Sequence, residues 1–123
     1  MTQEDKELLL KDLCARLPYG VKIQVNDKTE TVEGINILDS IVEFGTYMAC
    51  DIDEVKPYLF PMSSMTEEQK KEESSFDPFK TDEVKTLGDW AVCLVKFYNK
   101  HHLDYNGLIP KGLANDATGL NIY

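Results

Sequence analysis

Two spacings of apolar residues occur along this chain, and the first of them predicts a helix over residues 2–17. There the apolar positions recur every three or four residues, which is the period of an amphipathic helix. Thr2 is the expected N-cap, and Pro18 is expected to end the helix. The residues predicted to face the core are Leu9, Leu10, Leu13, Cys14 and Leu17, and those predicted to face away are Lys6, Lys11 and Asp12.

The second spacing is an alternation of apolar and polar residues, which begins at Val21 and predicts half-buried strands. In the second strand the alternation changes phase between Val32 and Ile35. Gly34 is expected to hold a β-bulge that keeps both residues on one face. The expected strands are residues 21–26, 31–38 and 41–49, separated by turns at "NDKTE" and "DS". Short strands joined by tight turns predict an antiparallel meander.

An irregular stretch follows the meander. A short acidic turn at residues 51–55 leads into the extended segment "PYLF", between Pro57 and Pro61. Three strands, a helical turn and a short last strand is the order of elements in small SH3-like barrels. The pattern does not distinguish such a barrel from an open sheet, because the two differ in where "PYLF" pairs.

Two further helices are predicted in the second half of the chain. Ser64, with Glu67 three residues later, is the expected cap of a polar helix. A longer helix over residues 86–102 is expected to be the main core helix, with Trp90 facing inward and Asn99 outward. Together the elements predict one α+β domain with an N-terminal helix, a small antiparallel sheet and C-terminal helices packed on that sheet.

The net charge of −9 is concentrated in the middle of the chain. Residues 51–83 hold ten acidic and four basic residues, whereas residues 84–123 hold three acidic and four basic residues. An acidic chain without a basic patch is not expected to bind nucleic acid directly, since neutralisation of phosphates supplies most of that affinity. An acidic surface can still attract a basic protein.

The hydropathy of the chain predicts a location in the cytoplasm. No apolar run is long enough to span a bilayer, so no membrane contact is expected. The N-terminal segment "MTQEDKELLL" is acidic and does not have the pattern of a signal peptide. Cys14, Cys50 and Cys93 lie far apart without a CxxC pair, so we expect buried free thiols rather than disulfides or a zinc site.

Both histidines lie in "KHHLDYNG", and they are the obvious candidates for chemistry. Adjacent residues diverge on a helix, so His101 and His102 are poorly placed to share a metal ion, and we expect neither a metal nor a cofactor. His101 is predicted to end the apolar face of the long helix. Asp104 is predicted to cap a short turn by accepting hydrogen bonds from the amides of "YNG". We therefore expect packing and chain termination here, not catalysis.

Residues 66–85 are predicted to form a flexible acidic helix and loop, and they supply the candidate partner-binding residues. Phe76 and Phe79 are the unusual feature of this segment: they either pin the loop to the core or form an exposed hook for a partner. The acidic candidates on the same segment are Glu67, Glu68, Glu72 and Glu73.

Three stretches of the chain resemble a family of short uncharacterised proteins from gut bacteria of the Bacteroides group and their phages and mobile elements. They are "DLCARLPYGVKIQV", "VKPYLFPMSSMTEEQ" and "HHLDYNGLIPKGLANDATGLNIY", and they cover both ends and the middle of the chain. The resemblance implies no activity, cofactor or catalytic residue. It implies an accessory role in a phage or mobile-element setting.

These observations favour a non-enzymatic accessory protein that binds another protein. Two alternatives remain open from the sequence. One is an acidic mimic of nucleic acid that blocks a DNA- or RNA-binding partner. The other is a small ligand-binding protein or enzyme that uses His101 or His102 with Asp104 or Asp51. The sequence leaves the oligomeric state open.

Overall fold

The first helix begins and ends where the sequence predicts. In the computed structural model, which describes residues 1–77 and 86–123, α1 spans Gln3–Arg16. The Thr2 hydroxyl accepts a hydrogen bond from the Asp5 amide at 3.1 Å, which satisfies one of the free N–H groups at the helix start. A 3₁₀ turn over Leu17–Tyr19 follows the helix.

The strands form one six-stranded sheet in the order β4-β3-β2-β1-β5-β6. All neighbouring strands are antiparallel except β5 and β6, which are parallel. The bounds are β1 Lys22–Val25, β2 Lys28–Asn36, β3 Ile41–Phe44, β4 Met48–Asp51, β5 Val55–Leu59 and β6 Asn115–Asp116. The α+β class is confirmed. The closed SH3-like barrel is not confirmed, because the pairings of the described residues form a row with β4 and β6 at its two ends.

The predicted bulge in β2 is present. Val32 pairs with Phe44 and Gly34 pairs with Glu43, so the register between β2 and β3 shifts by one residue between Val32 and Gly34. This shift lets Val32 and Ile35 contribute to the same core, as the change of phase required. A Cβ atom at Gly34 would lie 2.6 Å from Oε2 of Glu43, so the glycine also leaves room for that side chain.

Two turn predictions were wrong. The predicted strand 41–49 is two strands, β3 and β4, joined by a tight turn in which Gly45 and Tyr47 have φ values of 56° and 62°. Tyr47 and Met48 add apolar side chains directly after Gly45 and Thr46, so the pattern alone did not reveal the hairpin. The first turn is also shorter than "NDKTE": the chain turns at Asn26 and Asp27, and β2 already begins at Lys28.

The core lies between α1 and one face of the sheet. Leu9 and Leu13 of α1 are fully buried, as are Ile23 of β1 and Val42 of β3. Burying an aliphatic side chain of this size stabilises a fold by about 1.5–3 kcal/mol, so this interface is the main source of stability. The remaining core residues are Leu10, Val21, Val25, Val32, Phe44, Ile52, Val55, Leu59, Leu108, Leu113 and Ala114.

The second helix, α2, spans Glu67–Ser75, but its cap differs from the prediction. Thr66, not Ser64, is the N-cap: its hydroxyl accepts from the Gln69 amide at 3.1 Å, and the Gln69 side chain accepts from the Thr66 amide at 3.0 Å. Ser64 instead ends a short 3₁₀ turn, where its hydroxyl donates to the Pro61 carbonyl at 2.6 Å. Both serine and threonine satisfy the capping pattern, and the preceding turn selects the threonine.

The third helix, α3, spans Leu87–Lys100, and the prediction that it is the main core helix was wrong. Leu87 and Val92 are 64% and 53% exposed, and Trp90 is only half-buried. Asn99, which was predicted to face outward, is buried. The two buried residues of α3, Phe97 and Asn99, both lie in its C-terminal half. The N-terminal half is mostly exposed, because α1 already covers the sheet. In the described residues, no helix has both the length and the apolar character required to cross a membrane.

Candidate functional site

The helix α2 is held against the C-terminal half of α3 by two aromatic contacts. The rings of Phe76 and Phe97 meet edge to face, with centroids 5.8 Å apart. The Tyr98 hydroxyl donates a 2.8 Å hydrogen bond to Oε2 of Glu73. Burial is the largest cause, and the bond to Glu73 the next, of a rise in the pKa of Tyr98 to about 12.

The structure assigns different positions to the six candidate partner-binding residues. Phe76 is half-buried against α3, as the pinning alternative requires, and Glu73 is bonded internally. Glu67 and Glu68 are exposed in the first turn of α2, where negative charge stabilises the positive end of the helix. Phe79 lies outside the described residues, as does the rest of the predicted flexible segment from residue 78 to residue 85.

A groove of about 250 Å³ runs between α2 and α3, close to the turn that follows α1. Its apolar surface comes from the rings of Tyr19, Phe76 and Phe97. Phe97 is buried, whereas Tyr19 and Phe76 are half-buried and accessible from the groove. The remaining lining residues are Glu72 on the α2 side and Cys93, Lys96 and Lys100 on the α3 side.

The two rims of the groove differ in charge. On the α2 side, Oε2 of Glu72 lies 3.8 Å from Nε2 of His101. On the α3 side, Lys96 and Lys100 are one helical turn apart and exposed. Neither lysine forms an ion pair with a residue in the described part of the chain. The groove therefore combines an apolar floor with two lysines on one side that form no ion pair with residues 1–77 or 86–123.

Helix α1 contains a buried ion pair that the sequence did not predict. Asp12, predicted to face solvent, is 1% exposed, and Arg16 is fully buried. The Arg16 guanidinium donates to Asp12 from Nε at 2.6 Å and from Nη2 at 3.2 Å, and it donates to the Leu103 carbonyl at 2.7 Å. The side-chain amide of Asn106 (Nδ2) also donates to Asp12, at 2.8 Å. The sequence feature that could have predicted this ion pair is the spacing of four residues between Asp12 and Arg16 on one helix.

Asp104 caps the turn that follows α3, but the amides that donate to it differ from those predicted. Its two carboxylate oxygens accept hydrogen bonds from the amides of Leu108 and Ile109, at 2.8 and 2.9 Å. The predicted donors were the amides of "YNG". The carboxylate is buried, so these two bonds compensate for its lost hydration.

The two histidines have separate environments. The imidazole of His101 packs against the Phe97 ring, with centroids 4.7 Å apart, whereas the imidazole of His102 stacks on Tyr123. His102 is buried, and burial lowers its pKa to about 4, with the nearby Arg16 charge as the next cause. Within residues 1–77 and 86–123, no group of three histidine, cysteine or acidic side chains is placed to hold a metal ion.

The three cysteines are free thiols, as predicted, but they are half-buried rather than buried. Burial raises the pKa of Cys14 and of Cys50, which makes these thiols less reactive at neutral pH. Cys93 lines the groove between α2 and α3. No protein-family model matches this chain, and no similarity to a curated protein or to a solved structure was found.

Proposed function

We propose that this chain is a cytoplasmic, non-enzymatic accessory protein that binds a partner protein through the groove between α2 and α3. The observation that carries the proposal is the partly exposed aromatic floor formed by Tyr19 and Phe76. A partly exposed aromatic depression takes an apolar side chain of a partner, and such buried anchors supply most of the energy of protein interfaces. The setting implied by the sequence resemblance is a phage or mobile element.

The size of the groove supports a side chain as its occupant. Sites for cofactors and other small molecules have volumes of about 300–1,000 Å³, and the groove, at about 250 Å³, is smaller than these. It has room for one or two apolar side chains. It also lies between two helices whose contacts with each other are already made, so a partner can bind without opening the core.

The test is to fill the groove without disturbing the rest of α3. In Cys93→Phe the added ring occupies the groove, and in the control Val92→Phe the same ring is added at the neighbouring exposed position. Tagged wild type and both variants are used to capture proteins from a lysate of a Bacteroides-group bacterium, and circular dichroism checks that each variant is folded. We expect Val92→Phe to retain the partner and Cys93→Phe to lose it. A partner that Cys93→Phe still retains would contradict the proposal.

A further inference from the structure

We infer that the groove between α2 and α3 selects a partner segment in which a carboxylate neighbours an apolar side chain. This inference rests on the proposed function and adds the chemistry of the partner. It comes from the unequal charge of the two rims, where Lys96 and Lys100 face Glu72 across the aromatic floor.

The two lysines are available to an incoming group. They lie one turn apart on α3, so a carboxylate placed over that side of the groove can contact both ammonium groups. Both side chains are exposed, and no ion pair with a described residue has to be broken when a carboxylate binds. The tail of the chain, residues 84–123, carries a net charge of +1 within a protein of net charge −9.

The opposite rim determines on which side of the groove the carboxylate lies. Glu72 repels a partner carboxylate on the α2 side, where its Oε2 atom lies 3.8 Å from Nε2 of His101. The apolar side chain therefore packs on the floor beside Tyr19 and Phe76, with the acidic neighbour on the α3 side. A basic neighbour in that place would face two lysines and be disfavoured.

The overall negative charge of the protein does not prevent this contact. At physiological ionic strength, charges more than about 8 Å apart are largely screened, whereas the lysines act at contact distance. Because salt weakens both the local attraction and the general repulsion, overall affinity is expected to depend weakly on salt. The preference between peptides is the informative quantity.

The experiment is an amide NMR titration of the ¹⁵N-labelled full chain with three capped tetrapeptides. The probes are acetyl-Gly-Phe-Asp-Gly-amide, acetyl-Gly-Phe-Lys-Gly-amide and acetyl-Gly-Ala-Asp-Gly-amide, each at millimolar concentration. The first is expected to shift the amides of Cys93 and Phe97 and to bind about fivefold more tightly than the second, since each exposed ion pair contributes a small amount. The third, which lacks the ring, is expected to cause no shift at these amides.

The variant for this titration is Lys96→Gln/Lys100→Gln, which retains long side chains with good helix propensity. It is expected to lose the preference for the aspartate peptide over the lysine peptide, while its amide spectrum elsewhere matches that of the wild type. Equal binding of these two peptides by the wild type would overturn the inference and leave the groove itself as a site. If none of the peptides shifts the groove amides of the wild type, the inference is also overturned, and the groove-filling capture experiment decides the proposed function separately.

Discussion

The imidazole of His102 lies flat against the phenol ring of Tyr123, with centroids 3.6 Å apart and planes 12° apart. The hydroxyl of the same tyrosine accepts a hydrogen bond from the Lys22 amide at 2.9 Å and donates to the Tyr58 carbonyl at 2.7 Å. The β1–β5 ladder ends at the neighbouring pair, Ile23 and Pro57. Tyr123 therefore continues the connection between the two strands with its side chain, and His102 supports its ring.

The burial of the His102 imidazole makes the stability of the fold depend on pH. The pKa of His102 is lowered from its ordinary value of 6.5 to about 4, first by burial and then by the charges of Arg16, His101 and Lys22. The folded state thus favours the neutral imidazole. The stability that the neutral imidazole of His102 contributes is present above pH 6.5 and is lost as the pH falls toward 4. We expect the free energy of unfolding to decrease by roughly 2–3 kcal/mol over this range through His102, as measured by urea denaturation.

A control separates this histidine from the other titrating groups. His102 has a φ of 57°, and asparagine accepts this left-handed conformation, so His102→Asn changes the ring but not the backbone. We expect His102→Asn to be less stable at pH 7 and to have a smaller slope between pH 6.5 and 4. His101→Asn is the matched variant that leaves the stack intact. An unchanged slope in His102→Asn would show that the buried His102 imidazole is not the source of the pH dependence.

Loss of the Tyr123 hydroxyl should have a measurable cost. Tyr123→Phe leaves the ring on His102 but removes the link between the Lys22 amide and the Tyr58 carbonyl. We expect a loss of about 1 kcal/mol in thermal or urea unfolding. In the control Tyr47→Phe the removed hydroxyl belongs to a fully exposed side chain, and no change is expected. Equal stability of the two variants would contradict the bridging role.

The buried pair of Asp12 and Arg16 predicts a large asymmetry between single and double variants. Asp12→Ala leaves the Arg16 guanidinium buried without its counter-ion, and we expect a loss of about 3–5 kcal/mol. Asp12→Leu/Arg16→Met removes both charges and should recover much of that loss. The surface pair of Lys6 and Asp53 supplies the comparison: Asp53→Ala is expected to cost less than about 1 kcal/mol. Chemical denaturation at pH 7 measures all three, and a mild effect of Asp12→Ala would contradict this account.

Asp104 should be required for the turn after α3. Asp104→Ala leaves the amides of Leu108 and Ile109 without their acceptor in a buried place, and we expect a loss of about 2–3 kcal/mol. Asp116→Ala is the matched control, since that carboxylate also accepts from a backbone amide, that of Thr118, but at an exposed position. Faster hydrogen exchange at residues 108 and 109 in Asp104→Ala is the local measurement. Exchange as slow as in the wild type would contradict the capping role.

Local features of the sequence were sufficient where a local interaction decides the structure. The Thr2 cap, the alternation in β1 and the bulge at Gly34 were all predictable, because each depends on residues within a few positions of one another. The free cysteines were predictable from their spacing. The α+β class followed from the order of helical and strand periods along the chain.

The tertiary structure decided which apolar surfaces are buried. The sequence of α3 has a broader apolar face than that of α1, yet α1 covers the sheet and the first half of α3 remains exposed. Periodicity indicates that a face is apolar but not which other element covers it. The same limit applies to Asp12, whose burial depends on Arg16, Asn106 and the Leu103 carbonyl, the last two about ninety residues away.

The amino-acid sequence by itself determined the three helices, the first two strands, the acidic charge and the α+β class, because these depend on composition and short-range spacing. Only the tertiary structure decided the partner of each segment. It placed α2 on α3 to form the groove, buried the Asp12–Arg16 pair and brought Tyr123 between β1 and β5. These contacts join residues far apart in the chain, and their energy comes from burial and hydrogen-bond geometry that no local pattern contains.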